Sequence, residues 1–181
     1  MCSCSANIMP NAPVDIWLRR LLANHLAGGA RFPALMGLSP AQYQELARRV
    51  RLESDPRSAV LQQQDALLAL LARGRQQECR ALADWLAQYM AADAAPLHQL
   101  IAVASMGFNH LWQDLGLASR GELRELMQAC FPALVAINAG NMRWKKFFYR
   151  QVCLAQTGES TCRSPSCGSC CEYAGCFAPE D

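Results

Sequence analysis

A helical spacing of apolar residues runs through most of the chain and fixes its fold class. From Pro13 to about Leu154, apolar side chains recur every three or four residues, the period of an amphipathic helix. The sequence contains no alternating run typical of a strand and no internal repeat of solenoid length. It therefore predicts an all-α fold, a helical bundle.

Turn and capping signals divide this region into helices. Gly28 ends the first helix, and Ser39 with Gln42 forms a capping box that opens the second. The pair Asp55-Pro56 is predicted to open a third helix that runs to Arg73.

The second half of the region follows the same rules. A fifth helix is predicted to carry its apolar side through Phe108 to Leu111. Ser119 with Glu122 forms another capping box, and residues 141–154 form the last helix.

The composition changes at Gly158, where Ser, Cys, Gly and Pro replace the apolar residues. Such a segment cannot fold on its own hydrophobic surface and needs a staple. Six of the chain's 10 cysteines lie in its last 29 residues. We predict a flexible N-terminus (1–12), a helical domain (13–157) and a cysteine-rich, metal-binding tail (158–181) packed on the helical domain.

Four tail cysteines have the spacing C-x4-C-x2-C-x5-C: Cys162, Cys167, Cys170 and Cys176. Thiolates in so compact a run are typical of iron–sulfur clusters. Zinc is the main alternative, although structural zinc sites usually separate two C-x2-4-C pairs by a dozen residues or more. Disulfides are disfavoured in a reducing compartment. The spacing predicts a metal centre and leaves the choice of metal open.

Composition and motifs exclude several other classes. No secretory signal and no apolar stretch of membrane-spanning length is readable, so a cytoplasmic protein without membrane contact is expected. A net charge of +2 and the lack of a groove-reading motif argue against nucleic-acid binding. No nucleophile–base pair, phosphate loop or H-E-x-x-H motif supports hydrolase chemistry.

A basic and aromatic stretch precedes the array. Arg143, Lys145, Lys146 and Arg150 interleave with aromatic residues, the two lysines are the only ones in the chain, and residues 131–158 contain no acidic side chain. One interpretation is a core helix with solvated charges. The other is an electropositive patch, unneutralised locally, that draws an anion or an acidic partner toward the metal.

Other candidate residues have two interpretations each. His110 opens the stretch 110–117, where it either hydrogen-bonds at a packed helix corner or serves the metal as a ligand or proton carrier. Cys153 is either a buried helical cysteine or a further ligand. Cys171, next to Cys170, is either a spare sulfur or one that lies beside the ligands without binding the metal. Cys79 and Cys130 are expected in the core.

Together, the array, the stretch 143–151 and the stretch 110–117 resemble the NifQ family of nitrogen-fixation, molybdenum-processing iron–sulfur proteins, with the closest likeness over about 107–180. The resemblance implies a molybdenum carrier and donor, not an enzyme, for biosynthesis of the nitrogenase iron–molybdenum cofactor. It implies an iron–sulfur cluster (3Fe-4S or 4Fe-4S type) that holds molybdenum, with the four array cysteines, Cys162, Cys167, Cys170 and Cys176, as ligands. It also implies molybdate or another molybdenum source, and the assembly proteins NifH and NifEN as partners.

Two rival functions stay open at this stage. A zinc-stapled protein-interaction module would use the same cysteines only as a fold element. A redox dithiol of Cys167 and Cys170 lacks the βαβ setting in which such pairs usually act.

Under the carrier hypothesis, the basic patch would raise the local concentration of the molybdate dianion.

Overall fold

The computed structural model describes residues 13–52, 58–158 and 173–177. Within these ranges the regular structure is helical and no strand occurs, which confirms the all-α prediction. The cysteine-rich metal-binding loop stays a prediction, as does the three-part division of the chain, since most of the tail and the segment 1–12 lie outside these ranges.

The described residues form ten α-helices and one 3-10 turn, Ala34–Gly37. In chain order the helices are α1 Pro13–Leu26, α2 Pro40–Val50, α3 Ala59–Arg73, α4 Gln76–Ala87, α5 Leu97–Ser105, α6 Leu111–Asp114, α7 Arg120–Cys130, α8 Pro132–Ile137, α9 Trp144–Thr157 and α10 Tyr173–Phe177.

Local capping explains where several helices begin. The Ser39 hydroxyl accepts from the Gln42 N–H at 3.3 Å, and the Gln42 side chain accepts from the Ser39 N–H at 3.0 Å, which confirms that capping box. Ser119 likewise accepts from the Glu122 N–H at 3.2 Å, whereas the Glu122 carboxylate accepts from the N–H of Ala118, one residue earlier. The second box is therefore offset by one residue.

The predicted start of the third helix is wrong. Helix α3 begins at Ala59, with Ser58 as its N-cap, and the Ser58 hydroxyl accepts from the Leu61 N–H at 3.4 Å. This serine satisfies an N–H of the first turn, and the pair Asp55-Pro56 lies outside the described residues.

The predicted fifth helix is too long. Helix α5 ends at Ser105, Phe108 is 82% exposed, and Leu111 starts the separate helix α6. The break brings the backbone of Gly107 against the Asp114 carboxylate, where a Cβ on residue 107 would come within 2.3 Å of Asp114 Oδ2. A continuous helix would not make this approach.

One apolar core joins the helices, with α4 against α5, α1 against α2 and α7 against α8. Helix α9 enters this core through Trp144, Phe147 and Phe148, and the ring of Phe148 lies 6.2 Å from that of Trp85 on α4. Each such ring contributes several kcal/mol, roughly 3–5 by truncation to alanine. The aromatic side of α9 is therefore fixed, and Lys146 is exposed on the helix surface. Among the described helices, none is long and apolar enough to span a membrane.

Candidate metal centre

Only one of the four predicted ligands lies in the part of the chain that the structure describes. Cys176 is in α10, whereas Cys162, Cys167 and Cys170 lie in 159–172, outside the described residues, together with Cys171. The assembly of the four sulfurs therefore stays a prediction. Across the described ranges, no three His, Cys, Asp or Glu side chains are grouped to hold a metal ion.

Helix α10 lies against the loop before α9 and the start of that helix. The backbone N–H of Arg143 donates to the carbonyl oxygen of Cys176 at 2.9 Å. The ring of Phe177 lies against Gly140, where a Cβ would be 3.4 Å from it, and stacks on Tyr173 with centroids 4.5 Å apart. These contacts place Cys176, the last predicted ligand of the array, at the start of the basic helix.

The side chain of Lys146 contacts the sulfur of Cys176. Its ammonium Nζ lies 3.2 Å from Cys176 Sγ, within hydrogen-bonding distance for sulfur. An ammonium donates more strongly to an ionised acceptor than to a neutral one, and a metal-ligating cysteine is a thiolate. The arrangement suits a sulfur that carries negative charge.

Lys145 points elsewhere. Its ammonium donates to Asp114 Oδ2 at 2.6 Å and to the carbonyl oxygen of Gly107 at 2.9 Å. The Asp114 side chain is only 1% exposed, and its other oxygen accepts from Asn109 at 2.9 Å. The stretch has no counter-charge of its own, as the sequence indicates, but Lys145 obtains one from Asp114, 31 residues away in the chain.

The basic face of α9 continues toward its C-terminal end. Lys146, Arg150 and Cys153 are spaced i, i+4 and i+7, so they share one side of the helix. Cys153 is half-buried, not buried as one interpretation expected, and its sulfur lies 3.7 Å from the Thr157 hydroxyl. Its role as a further ligand stays a prediction.

The stretch 110–117 is the packed corner that one interpretation predicted. His110 is the N-cap of α6, and its backbone N–H donates to the Gln113 side chain at 3.0 Å, while Leu111 and Leu115 are buried. Its role as a metal ligand or proton carrier stays a prediction. The residue in this stretch that reaches the basic helix is Asp114.

Two further contacts hold α9 in place, and sequence reasoning missed both. Asn138 donates to the Met142 carbonyl and accepts from its N–H, each at 2.9 Å, which closes the loop before α9. The Tyr149 hydroxyl accepts from Arg75 at 2.5 Å and donates to the Ser105 carbonyl at 3.3 Å. Burial raises the pKa of Tyr149 to about 12.

The two cysteines assigned to the helical faces belong to the core, as predicted. Cys130 is buried and Cys79 packs partly buried against the core. Burial raises the pKa of the Cys130 thiol to about 12 and that of Cys79 as well, so both thiols resist ionisation.

Comparison with known proteins decides the family. The NifQ family model matches residues 17–178, which include most of α1, the whole cysteine array and α10. The chain belongs to the NifQ family. The likeness thus extends well beyond 107–180, into the first hundred residues, and it places the chain among nitrogen-fixation proteins.

Individual NifQ proteins support this assignment. The chain is 53% identical to Protein NifQ of Klebsiella pneumoniae over 165 residues, 91% of this chain and 98% of that protein. It is 36% identical to Protein NifQ of Azotobacter vinelandii over 173 residues, 91% of this chain and 88% of that protein. It is 48% identical to Protein NifQ of Rhodobacter capsulatus over 58% of each chain. No solved structure matches the chain.

Proposed function

We propose that this NifQ protein carries molybdenum and donates it to biosynthesis of the nitrogenase iron–molybdenum cofactor. Cys162, Cys167, Cys170 and Cys176 hold an iron–sulfur cluster that binds the molybdenum as cargo. The protein acts as a donor and not as a turnover enzyme, and it passes molybdenum to the assembly proteins NifH and NifEN. The observation that carries the proposal is the family match over residues 17–178, which contains the complete array.

The residues at the described end of the array fit such a group. Cysteine thiolates are soft ligands that suit iron, and sulfide-bridged iron offers a soft face to a further metal. The sulfur of Cys176 has an ammonium donor 3.2 Å away, and its own backbone carbonyl is held by Arg143. The chain's contribution at this point is to orient one ligand and to supply positive charge beside it.

The remaining positive face of α9 fits the form in which molybdenum reaches cells, the molybdate dianion. Lys146 and Arg150 lie on one side of the helix, and no acidic residue occurs between positions 131 and 158. Positive charge there raises the local concentration of an oxyanion near the array. Lys145 has no part in this capture, because Asp114 neutralises it.

Metal analysis of anaerobically purified protein tests the proposal. We expect brown protein with broad absorption near ~400 nm, containing iron and sulfide, and molybdenum after growth with molybdate. The Cys176→Ser variant should lose most of its iron. The matched control, Cys79→Ser, removes a half-buried thiol of α4 and should retain it. Colourless protein with stoichiometric zinc would overturn the carrier proposal and favour the zinc-stapled interaction module.

A further inference from the structure

The chain's only two lysines are adjacent at the start of α9, and their side chains contact different partners. Successive residues of an α-helix point about 100° apart, so adjacent side chains leave the helix in different directions. Lys145 points to the α5–α6 loop and Lys146 to α10. Each ammonium therefore has its own partner.

The Lys145 contact fixes the direction of its neighbour. Asp114 and the Gly107 carbonyl hold the Lys145 ammonium from two sides, and Trp144 and Phe147 are buried on either side of the lysine pair. The first turn of α9 consequently has little freedom to rotate. The backbone of residue 146 is thus held where its side chain reaches the Cys176 sulfur.

Two contacts to Cys176 come from this one turn. The Arg143 N–H binds the carbonyl of Cys176 at 2.9 Å, and Lys146 Nζ lies 3.2 Å from its sulfur. The first contact sets the position of the residue, and the second sets the environment of the ligating atom. Groups that hydrogen-bond to a metal ligand orient it and tune the metal, and hydrogen bonds to the sulfurs are among the determinants of cluster reduction potential.

We infer that Lys146 is the positioning residue for the ligand Cys176, and that its ammonium raises the reduction potential of the bound cluster by donating a hydrogen bond to the Cys176 thiolate. This inference rests on the proposed function. Reduction by one electron makes the cluster and its thiolates one charge more negative, and a nearby positive donor favours that form. Lys146 thereby differs from Lys145, whose charge neutralises the buried Asp114 carboxylate.

The test compares three full-length variants prepared without oxygen: Lys146→Met, Lys146→Arg and Arg48→Met. The first removes the donor and keeps the chain length, and the second keeps a cationic donor. The third removes one positive charge from a side chain of α2 that is 77% exposed, so it matches the change in net charge. Far-UV circular dichroism and iron and sulfide content are measured for each, followed by dithionite titration of the cluster to obtain its midpoint potential.

We expect Lys146→Met to lower the reduced-to-oxidised ratio at fixed potential about tenfold, which is about 59 mV for a one-electron step. Arg48→Met should match the wild type, and Lys146→Arg should recover most of the shift. Loss of iron from Lys146→Met alone, with iron retained in Lys146→Arg, would also support the inference, because the donor would then be needed to keep the ligand in place.

Other outcomes overturn it. Equal potentials in all four proteins would show that Lys146 does not act on the cluster, while leaving the carrier function intact. Iron loss from both Lys146 variants, with iron retained in Arg48→Met, would contradict a role that any cationic donor can fill. A wild-type protein without iron would instead overturn the proposed function itself, and the inference with it.

Discussion

Lys145 and Lys146, adjacent at the start of α9, carry the same charge but contact partners that differ in burial. On one side, Lys145 meets a carboxylate that is 1% exposed; on the other, exposed Lys146 meets the sulfur of Cys176. An ion pair with a buried member is costly to break, whereas an exposed contact contributes little to stability. Because Asp114 is buried, the Lys145 ion pair stabilises the fold. The Lys146 contact contributes little to stability, which is consistent with the role inferred for it beside Cys176.

The largest expected effect on stability comes from breaking the junction between α9 and the α5–α6 region, which is the contact of Lys145 with Asp114 and the Gly107 carbonyl. Lys145→Met leaves the Asp114 carboxylate buried without its counter-charge and should lower the free energy of unfolding by about 3 kcal/mol. Urea denaturation followed by circular dichroism measures the change. Lys146→Met is the matched control and should change the free energy of unfolding by less than about 0.5 kcal/mol. Equal losses in the two variants would contradict the division of roles.

A smaller effect should follow from crowding the same junction. Gly107→Ala places a Cβ within 2.3 Å of the Asp114 carboxylate, so we expect a loss of about 1–3 kcal/mol in the free energy of unfolding. Gly121→Ala is the control, since its Cβ would meet nothing closer than 3.5 Å and α7 gains a better helix former. Thermal unfolding of both variants checks the prediction. A neutral Gly107→Ala would show that the loop gives way and that the junction is loosely packed.

The fold was largely predictable because helical periodicity and caps are local signals. Ser39 with Gln42 marks the start of α2 from residues three positions apart. One error, the start of α3, is a choice between two local signals, the pair Asp55-Pro56 and the cap Ser58. Another occurs where a contact between side chain and backbone accompanies the local break. This is the end of α5, since the Gly107–Asp114 approach that accompanies the break is not readable from the apolar pattern.

The candidate site was predictable in part. The unusual composition of the stretch 143–151 indicated the basic helix, and the cysteine spacing indicated Cys176, whose role as a ligand stays a prediction. The neutralisation of Lys145 was missed because its partner lies 31 residues away, in a stretch otherwise dominated by apolar residues. A lone acidic residue in such a stretch, here Asp114, is the one signal that could have pointed to it.

A third prediction concerns the contact that holds the middle of α9. Burial raises the pKa of Tyr149 to about 12 from an ordinary value of about 10. The folded state thus favours the neutral phenol, and the stability from this preference is present below pH 10 and lost as the pH rises from 10 toward 12. Tyr149→Phe should therefore weaken the fall in stability over that range.

The same variant has a second effect at neutral pH. It removes the hydroxyl that links Arg75 to the Ser105 carbonyl, at a cost of about 1–2 kcal/mol. Urea denaturation at pH 7, 10 and 11 measures both effects. An unchanged pH dependence in Tyr149→Phe would show that another group causes the alkaline loss.

The smallest effect is expected when iron is removed. The described core is built mainly from helices α1, α2 and α4 to α9, and α10 contributes only partly buried residues, such as Cys176 and Phe177, to its edge. A chelator that strips iron should therefore leave the free energy of unfolding of the helical body, measured by urea denaturation, within about 0.5 kcal/mol of that of the loaded protein. The reason is that the apolar burial that stabilises the core is untouched. Circular dichroism before and after chelation measures it. A shift as large as that of Lys145→Met would mean that the metal centre stabilises the fold as much as the buried ion pair does, and the contrast between the two sides of α9 would disappear.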